Sequence, residues 1–293
     1  MAIQPHPLPT HPESSPFLSD GYKDVISYLQ KMAAGPMPTA WQDRWQWEMP
    51  TVHLVLLEMI ERTYLYATWA SEQNDLLNYL GYAEACFFQV YKHHGMEEEF
   101  LFPAFTEKTG EDLWLRNVEE HHTFDKALDA TWLYVRHQRS LLTTIPSPVP
   151  EPTDEFKATI DLSEYPDLDF DKPFDAAAFR RHIDGFIMPL AKHLGAEIET
   201  LKPELMERIG KDGMIQINKG VEARLKAYGP AWFLCSAISE YHLRSYRASS
   251  GGLQYGALQT AHPTSLSGPK SPNPIRSGTK VQELLDVFRA SRD

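Results

Sequence analysis

The stretch KHHGMEEEFLFP, residues 92–103, places two histidines and three glutamates within seven positions, directly before an apolar run. A second stretch, HLGAE at residues 193–197, repeats its spacing of histidine, three residues and glutamate. Residues four apart on an α-helix lie on one face, about 5–6 Å from each other, so each histidine–glutamate pair can bind one cation from one side. The two stretches therefore predict helices that carry metal ligands, in a fold that brings these helices together.

Long helices are predicted around both stretches and at two further places in the chain. Apolar residues recur at helical spacing, with capping residues at the ends, from about Glu48 to Ala70, Asn74 to Lys108, Glu111 to Arg139 and Asp175 to Gly210. Pro103 lies inside the second of these helices, where a bend is expected, and Pro189 lies inside the fourth, where a kink or a shift of the hydrogen-bond ladder is expected. The chain is predicted to be all-α.

The first and third predicted helices carry histidines of their own, His53 and His121. If neighbouring helices run up and down, His53 and His93 lie about 18 and 22 residues from the turn near Ser71, a height difference of about one turn. The same comparison places His121 at the height of Glu97 along the helix axes. It also places His193 of the fourth helix at the height of His121. Four separate stretches are thus expected to meet in one layer of an antiparallel bundle, where bundle proteins build metal sites from facing side chains.

The types of ligand in this layer predict which metal it binds. Four histidines and two carboxylates exceed the needs of one tetrahedral zinc ion, whereas two ions bridged by the carboxylates would use all six. Imidazole and carboxylate ligands with open positions suit iron. A ferritin-like site would instead show Glu-x-x-His motifs and a glutamate from each remaining helix.

Together these motifs resemble the hemerythrin-like (HHE cation-binding) proteins, in particular their fungal branch. HHGMEEEFLFP resembles the family's HHxxEExxLFP signature, VEEHHTF its third-helix histidine segment and HLGAEIETL its fourth-helix HLxxEIxTL, while VHLVLLEMI takes the place of VHNxxxRGL. The resemblance covers about residues 45–205 and implies an up-down four-helix bundle with an oxygen- and carboxylate-bridged di-iron centre that binds or reacts with O2, NO or peroxide. The ligands it implies are His53, His93, Glu97, His121, His193 and Glu197.

One position departs from the family pattern. Many members have a second histidine four residues after the one that matches His121, and this chain has Asp125. A carboxylate there would bind one iron, hydrogen-bond a neighbouring ligand or water, or leave an open coordination position. As an additional anionic ligand it would favour ferric iron and weaken reversible O2 carriage.

Several polar residues beside the motifs are expected to lie off the ligand face. His94, Glu98 and Glu99 are predicted to be solvated, although Glu98 has the alternative role of orienting a ligand. His122 is likewise predicted not to replace His121 as a ligand.

The rest of the chain is predicted to surround this bundle. Residues 1–20 are proline-rich and expected to be loose; residues 21–212 form the bundle, with a long crossover at 140–174 that contains six prolines. Accessory helices are expected at 213–248, and a low-complexity loop with a C-terminal amphipathic helix at 249–293. That helix, VQELLDVFRA, either docks on the bundle or binds a protein partner.

Composition limits the functional classes. A net charge of −12 argues against a nucleic-acid partner, and no apolar run approaches the roughly 18–20 residues of a membrane span. The N-terminus does not resemble a signal peptide, and the two cysteines form no framework, so a cytoplasmic location is expected. The predicted function is a non-haem di-iron protein that binds O2 or a related small molecule, with oxidase or oxygenase action on an organic substrate as one form. The alternatives are an iron or gas sensor or iron-binding module without turnover, and a metal-free structural bundle.

Overall fold

A computed structural model of the chain describes residues 9–227, which are all-helical and contain no strand. The α-helices are α1 (Asp20–Met32), α2 (Arg44–Glu72), α3 (Leu76–Met96), α4 (Phe102–Thr109), α5 (Leu115–His121), α6 (Asp125–Ser140), α7 (Asp154–Ala158), α8 (Ala176–Glu197), α9 (Pro203–Ile209) and α10 (Lys211–Ala227). A π-helical segment, Glu97–Leu101, joins α3 to α4, and 3-10 turns cover Pro16–Leu18, Trp41–Asp43, Leu162–Glu164 and Ile198–Leu201. The predicted all-α class is confirmed for these residues.

Several predictions fall wholly or partly outside the described part of the chain. The predicted loop and amphipathic helix at 249–293 lie outside it, as do the accessory helices beyond residue 227 and the first eight residues of the loose N-terminus. Within residues 9–227, no helix has the length and apolar character that crossing a bilayer requires.

Helices α2, α3, α6 and α8 enclose the main apolar core. Helix α2 packs against α3 and α8, α3 packs against α6, and α6 contacts α8, so the contacts form a closed cycle. Helix α1 covers the side formed by α2 and α8. Fully buried residues such as Leu57, Phe87 and Leu190 fill the interior, and their removal from water is the main term that stabilises this packing.

The second predicted helix is interrupted by the π-helical segment. The Phe102 N–H donates to the Glu97 carbonyl five residues earlier, which is the π pattern of hydrogen bonding. Pro103 follows at the start of α4 and has no N–H to donate, so a regular α-helix would lose a bond there. The structure thus has one wider turn, beginning at Glu97, where the bend is expected.

The third predicted helix is two helices, and the prediction of one continuous helix was wrong. Helix α5 ends at His121, and α6 begins at Asp125. Between them Phe124 has a non-helical backbone, with φ −140°, and its ring is buried against the rings of His121 and His193. Burial of this one aromatic ring explains the break, which helical periodicity alone does not reveal.

The fourth predicted helix begins as expected but ends earlier. The Asp175 carboxylate accepts hydrogen bonds from the Ala177 and Ala178 N–H groups at 2.9 and 3.0 Å, which caps α8. Helix α8 ends at Glu197 rather than at Gly210, and Lys202 is extended, with ψ 147°. Because Pro203 follows, the α-helical conformation is disfavoured at Lys202, and a new helix starts at the proline.

The predicted crossover at 140–174 contains one short α-helix, α7, and the 3-10 turn Leu162–Glu164. The Thr153 hydroxyl accepts from the Phe156 N–H and caps this helix. Phe156 then packs against Tyr91 and Trp132, with ring centroids 5.1 and 5.2 Å away, so the crossover is attached to α3 and α6 by aromatic contacts.

Candidate metal centre

The six ligands that the resemblance implies lie together in one buried cluster, and each comes from a helix or helix end. His53 lies within α2, His93 in the last turn of α3, Glu97 at the start of the π-helical segment, His121 at the end of α5, and His193 and Glu197 at the end of α8. Five of them are at most 2% exposed, and the His93 side chain is 11% exposed. Ionisable groups buried this deeply are normally paired or bind a metal.

One half of the cluster contains His53, His93 and the two glutamates. The His53 Nε2 atom is 3.4 Å from Glu197 Oε2, and the His93 Nε2 atom is 3.1 Å from Glu97 Oε1. One ligand atom from each of the four residues lies within 4.8 Å of the others. These atoms are close enough to bind one ion together.

The other half contains His121 and His193, whose Nε2 atoms are 2.8 Å apart. Both glutamates reach this half as well. Glu97 Oε2 is 3.8 Å from the His121 Nε2 atom, and Glu197 Oε2 is 3.6 Å from the His193 Nε2 atom. Since Glu97 directs one oxygen to His93 and the other to His121, its carboxylate spans both halves, as a bridging ligand would.

Three of the histidine rings are held by hydrogen bonds at their Nδ1 atoms. The His53 Nδ1 atom is 2.7 Å from the Leu194 carbonyl, which can only accept, so Nδ1 carries the proton. The His121 Nδ1 atom lies 2.6 Å from Glu98 Oε1, and the His193 Nδ1 atom 3.2 Å from Glu120 Oε2. Donation to these carboxylates assigns the proton to Nδ1 in both rings.

A neutral imidazole that carries its proton on Nδ1 has a free lone pair on Nε2. In these rings the Nε2 atoms point into the cluster. Burial, with the neighbouring histidines as a further cause, lowers the pKa of His53 and His193 to about 3, so both rings are neutral near pH 7. The unprotonated Nε2 atom of His193 lies 2.8 Å from the Nε2 atom of His121, so one cation could be bound by both nitrogens.

The cluster has more hydrogen-bond acceptors than donors. The Nε2 atoms of His53 and His93 and the carboxylate oxygens of Glu97 and Glu197 are buried without a hydrogen-bond donor from outside these four residues. Burial and the charge of the facing Glu197 raise the pKa of Glu97, and burial raises the pKa of Glu197, so the pair retains a proton when no cation is bound. Each unsatisfied buried group costs about 1–3 kcal/mol. These buried nitrogen and oxygen atoms are of the kinds that bind metal ions, so the cluster fits a metal site.

The prediction that His94 points into solvent was wrong. Its side chain is buried, and its ring centroid lies 4.4 Å from that of His121 and 5.9 Å from that of His193. Helix α3 packs against both α2 and α6, so a residue about 100° around the helix from His93 faces another neighbouring helix rather than water. The adjacent histidines at 93 and 94 were the feature of the sequence that could have indicated a second buried histidine on α3.

Asp125 lies beside the six-residue cluster rather than within it. Its Oδ1 atom is 3.7 Å from the His94 Nδ1 atom, and it forms a separate group of possible ligands with Glu98 and His121. Burial and then the charge of Glu98 raise the pKa of Asp125 to about 8. Its place beside His94 and His121 leaves the roles considered for it, iron ligand or hydrogen-bond partner of a ligand, as predictions.

The remaining polar residues next to the motifs divide into two kinds. Glu98 is not a freely solvated residue, because its carboxylate accepts the His121 hydrogen bond, in accord with the alternative role of orienting a ligand. Glu99 and His122 are exposed, as expected.

Comparisons with known proteins give one distant relative. No protein-family model and no solved structure matches the chain. The chain is similar to "Dimeric xanthone biosynthesis cluster protein R11" of Cryptosporiopsis sp. (strain 8999), with 23% identity over 155 residues. The match covers 53% of this chain and 47% of the relative, so it spans about half of the relative's length.

Proposed function

We propose that the chain is a hemerythrin-like four-helix-bundle protein that binds two iron ions. The observation that carries this proposal is the buried set of donor atoms in which three histidines are fixed through Nδ1 and present Nε2 to two glutamates without a counter-charge. Metal-binding histidines typically donate their other N–H to a carboxylate or a carbonyl in this way.

In this proposal each half of the cluster binds one ion. His53 and His93 would hold the first and His121 and His193 the second, and the carboxylates of Glu97 and Glu197 would be shared between them. Iron held by imidazole and carboxylate ligands, with positions left open, supplies redox chemistry toward O2, NO or peroxide. The chain keeps the rings oriented through Leu194, Glu98 and Glu120, and buried side chains around them exclude bulk water.

Two observations favour an oxidase or oxygenase over a simple carrier of O2. The relative's name places that protein in a biosynthesis cluster, which is consistent with action on an organic molecule. In addition, an open cleft of about 460 Å³ is lined by Phe102, Trp114, Leu115 and Glu98, and Glu98 contacts His121. An organic substrate in this cleft would lie one side chain away from a proposed ligand.

Metal analysis of anaerobically purified protein tests the proposal. We expect about two irons per chain in the wild type, with at least one lost in Glu97→Ala and in Glu197→Ala, because each carboxylate serves both ions. His122→Ala is the matched control, since His122 is exposed and adjacent to a proposed ligand. A wild-type protein without iron, or variants that retain two irons, would contradict the proposal.

Exposure of the iron-loaded protein to O2 tests whether it is an oxidase or oxygenase, or a sensor or binding module without turnover. Consumption of O2 together with an added aromatic substrate supports an oxidase or oxygenase. Stable binding of one small molecule without consumption of a substrate supports the sensor or binding module instead.

A further inference from the structure

We propose that His94 is a seventh metal ligand, so that the second iron position has three histidines: His94, His121 and His193. This inference rests on the proposed function but goes beyond the six ligands that the family resemblance implies. It concerns which side chains complete one half of the centre.

The first support is position. His94 is 4% exposed, and one ligand atom each from His94, His121 and His193 lies within 4.8 Å of the others. His94 follows His93 directly on α3, so the two rings enter the cluster from adjacent positions with centroids 5.4 Å apart. Helix α3 thereby reaches both halves of the cluster, His93 in one and His94 in the other.

The second support is the lack of a hydrogen-bond partner. The His94 Nε2 atom is buried without one, and the His94 Nδ1 atom is 3.7 Å from Asp125 Oδ1, which exceeds a normal hydrogen-bond length. A neutral imidazole has one N–H donor and one acceptor, and burial of both without partners is unfavourable. A metal ion bound at one nitrogen would draw His94 into the cluster and leave the other nitrogen free to donate to Asp125.

Two other histidines, His137 and His182, have the hydrogen bonds expected of a histidine with a structural role. The His182 Nε2 atom lies 2.8 Å from the Thr131 hydroxyl and 3.0 Å from the Ala127 carbonyl, and the His137 Nε2 atom lies 2.9 Å from the Phe170 carbonyl. Both rings therefore have hydrogen-bond partners outside the metal cluster. His94 is buried like His182 but faces the predicted ligands instead, which is why we assign it a ligand role.

The experiment compares the full-length wild type with His94→Ala and His94→Leu after anaerobic loading with ⁵⁷Fe²⁺. Iron content gives the number of ions, and the Mössbauer spectrum separates ferrous ions with different ligand sets. We expect each variant to lose one ion or to bind it at least about tenfold more weakly, because a direct ligand should matter no less than an outer-shell partner. The signal of the ion at His53 and His93 is expected to remain.

Two controls separate ligand loss from misfolding. His122→Ala changes an exposed histidine next to His121 and is expected to keep both ions and both signals. Without metal, His94→Leu is expected to melt at or above the wild-type temperature, since it replaces an unsatisfied buried imidazole with an apolar side chain.

The outcomes distinguish this inference from the proposed function. Two irons in the wild type, with unchanged content and spectrum in both His94 variants, would overturn the role of His94 and leave the six-ligand centre intact. A wild type that binds no iron would overturn the di-iron proposal itself.

Discussion

At the scale of single residues, the orientation of the ligand rings depends on side chains outside the cluster. The His53 ring is fixed by a backbone carbonyl, which substitution cannot remove, whereas His121 and His193 depend on the carboxylates of Glu98 and Glu120. Such partners hold the tautomer and make the imidazole a stronger base. Their side chains are 32% and 27% exposed, so they can be altered with little effect on the core.

Glu98→Ala is therefore expected to weaken iron binding without unfolding the protein. Loss of the His121 hydrogen bond frees the ring, and removal of such outer partners typically reduces metal affinity about 10–100-fold. Competition with a coloured chelator under anaerobic conditions measures the change. Glu99→Ala is the matched control, because Glu99 lies next in the same π-helical segment but is exposed; an equal loss in both variants would refute the specific role of Glu98.

At the scale of helices, the proposed ligands cluster where regular structure ends. Glu97 begins the π-helical segment, His121 ends α5, and Glu197 ends α8. Periodicity in the sequence predicted the four long helical stretches and their matching heights, because both follow from 3.6 residues per turn and 1.5 Å per residue. It did not predict these ends.

The missed features depend on contacts between distant parts of the chain. The break after His121 depends on the burial of Phe124, and the burial of His94 depends on neighbours on two sides of α3. The hydrophobic pattern of a single helix does not indicate contacts with other helices, so it predicts neither feature. The early end of α8 differs, because Pro203 was visible in the sequence and restricts Lys202 by local sterics alone.

The cap of α8 can be tested apart from the ligands. Asp175→Ala removes two hydrogen bonds to the first turn and is expected to lower the free energy of unfolding by about 1 kcal/mol. Asp175 is at the opposite end of α8 from His193, so iron affinity should not change. Urea unfolding with Asp171→Ala as the control measures the effect; a loss of iron binding in Asp175→Ala would contradict this separation.

A buried ion pair connects α3, α6 and the crossover. The Arg136 guanidinium donates to Glu84 at 2.6 Å, and the Ser147 hydroxyl donates to the same carboxylate at 2.7 Å. The Glu84 side chain is 1% exposed, and Arg139 Nε stays 3.9 Å from it, so Arg136→Ala is expected to remove the nearer of these two counter-charges and to cost up to about 3 kcal/mol. The double variant Glu84→Gln with Arg136→Met should recover part of this loss in urea unfolding. No recovery would show that the single variant acts through packing alone.

At the scale of the whole molecule, the metal centre and the stability of the fold are expected to be linked. The cluster joins α2, α3, α5 and α8, and its unsatisfied acceptors oppose folding when no cation is bound. A ligand that binds the native state alone adds stability, about 2.7 kcal/mol at a free concentration 100 times its dissociation constant. Iron is thus expected to raise the melting temperature, and the rise should grow with the logarithm of its affinity.

The same linkage predicts how the stability of the metal-free protein depends on pH. Burial, with the charge of Glu98 as a further cause, raises the pKa of Asp125 to about 8, and burial raises that of Asp129 to about 7 and that of Glu97 well above its usual value. The folded protein therefore keeps protons that the unfolded chain has released, and stability is lost as pH rises toward these values. The buried histidines have lowered pKa values, so their effect on stability lies below about pH 6.5, the usual histidine pKa.

Between pH 6.5 and 8, the free energy of unfolding of the metal-free protein should consequently fall, by up to about 1.4 kcal/mol per pH unit for each carboxyl that titrates. Iron is expected to displace the proton that Glu97 and Glu197 retain, so the iron-loaded protein should keep only the part of the fall that Asp125 and Asp129 cause. The difference in melting temperature between the two forms should therefore widen as pH rises. Anaerobic thermal unfolding at four pH values, with and without iron, measures this difference. A difference that stays constant across the range would mean that metal binding and the buried carboxyl groups are not linked, and would remove the physical basis for placing iron at Glu97 and Glu197.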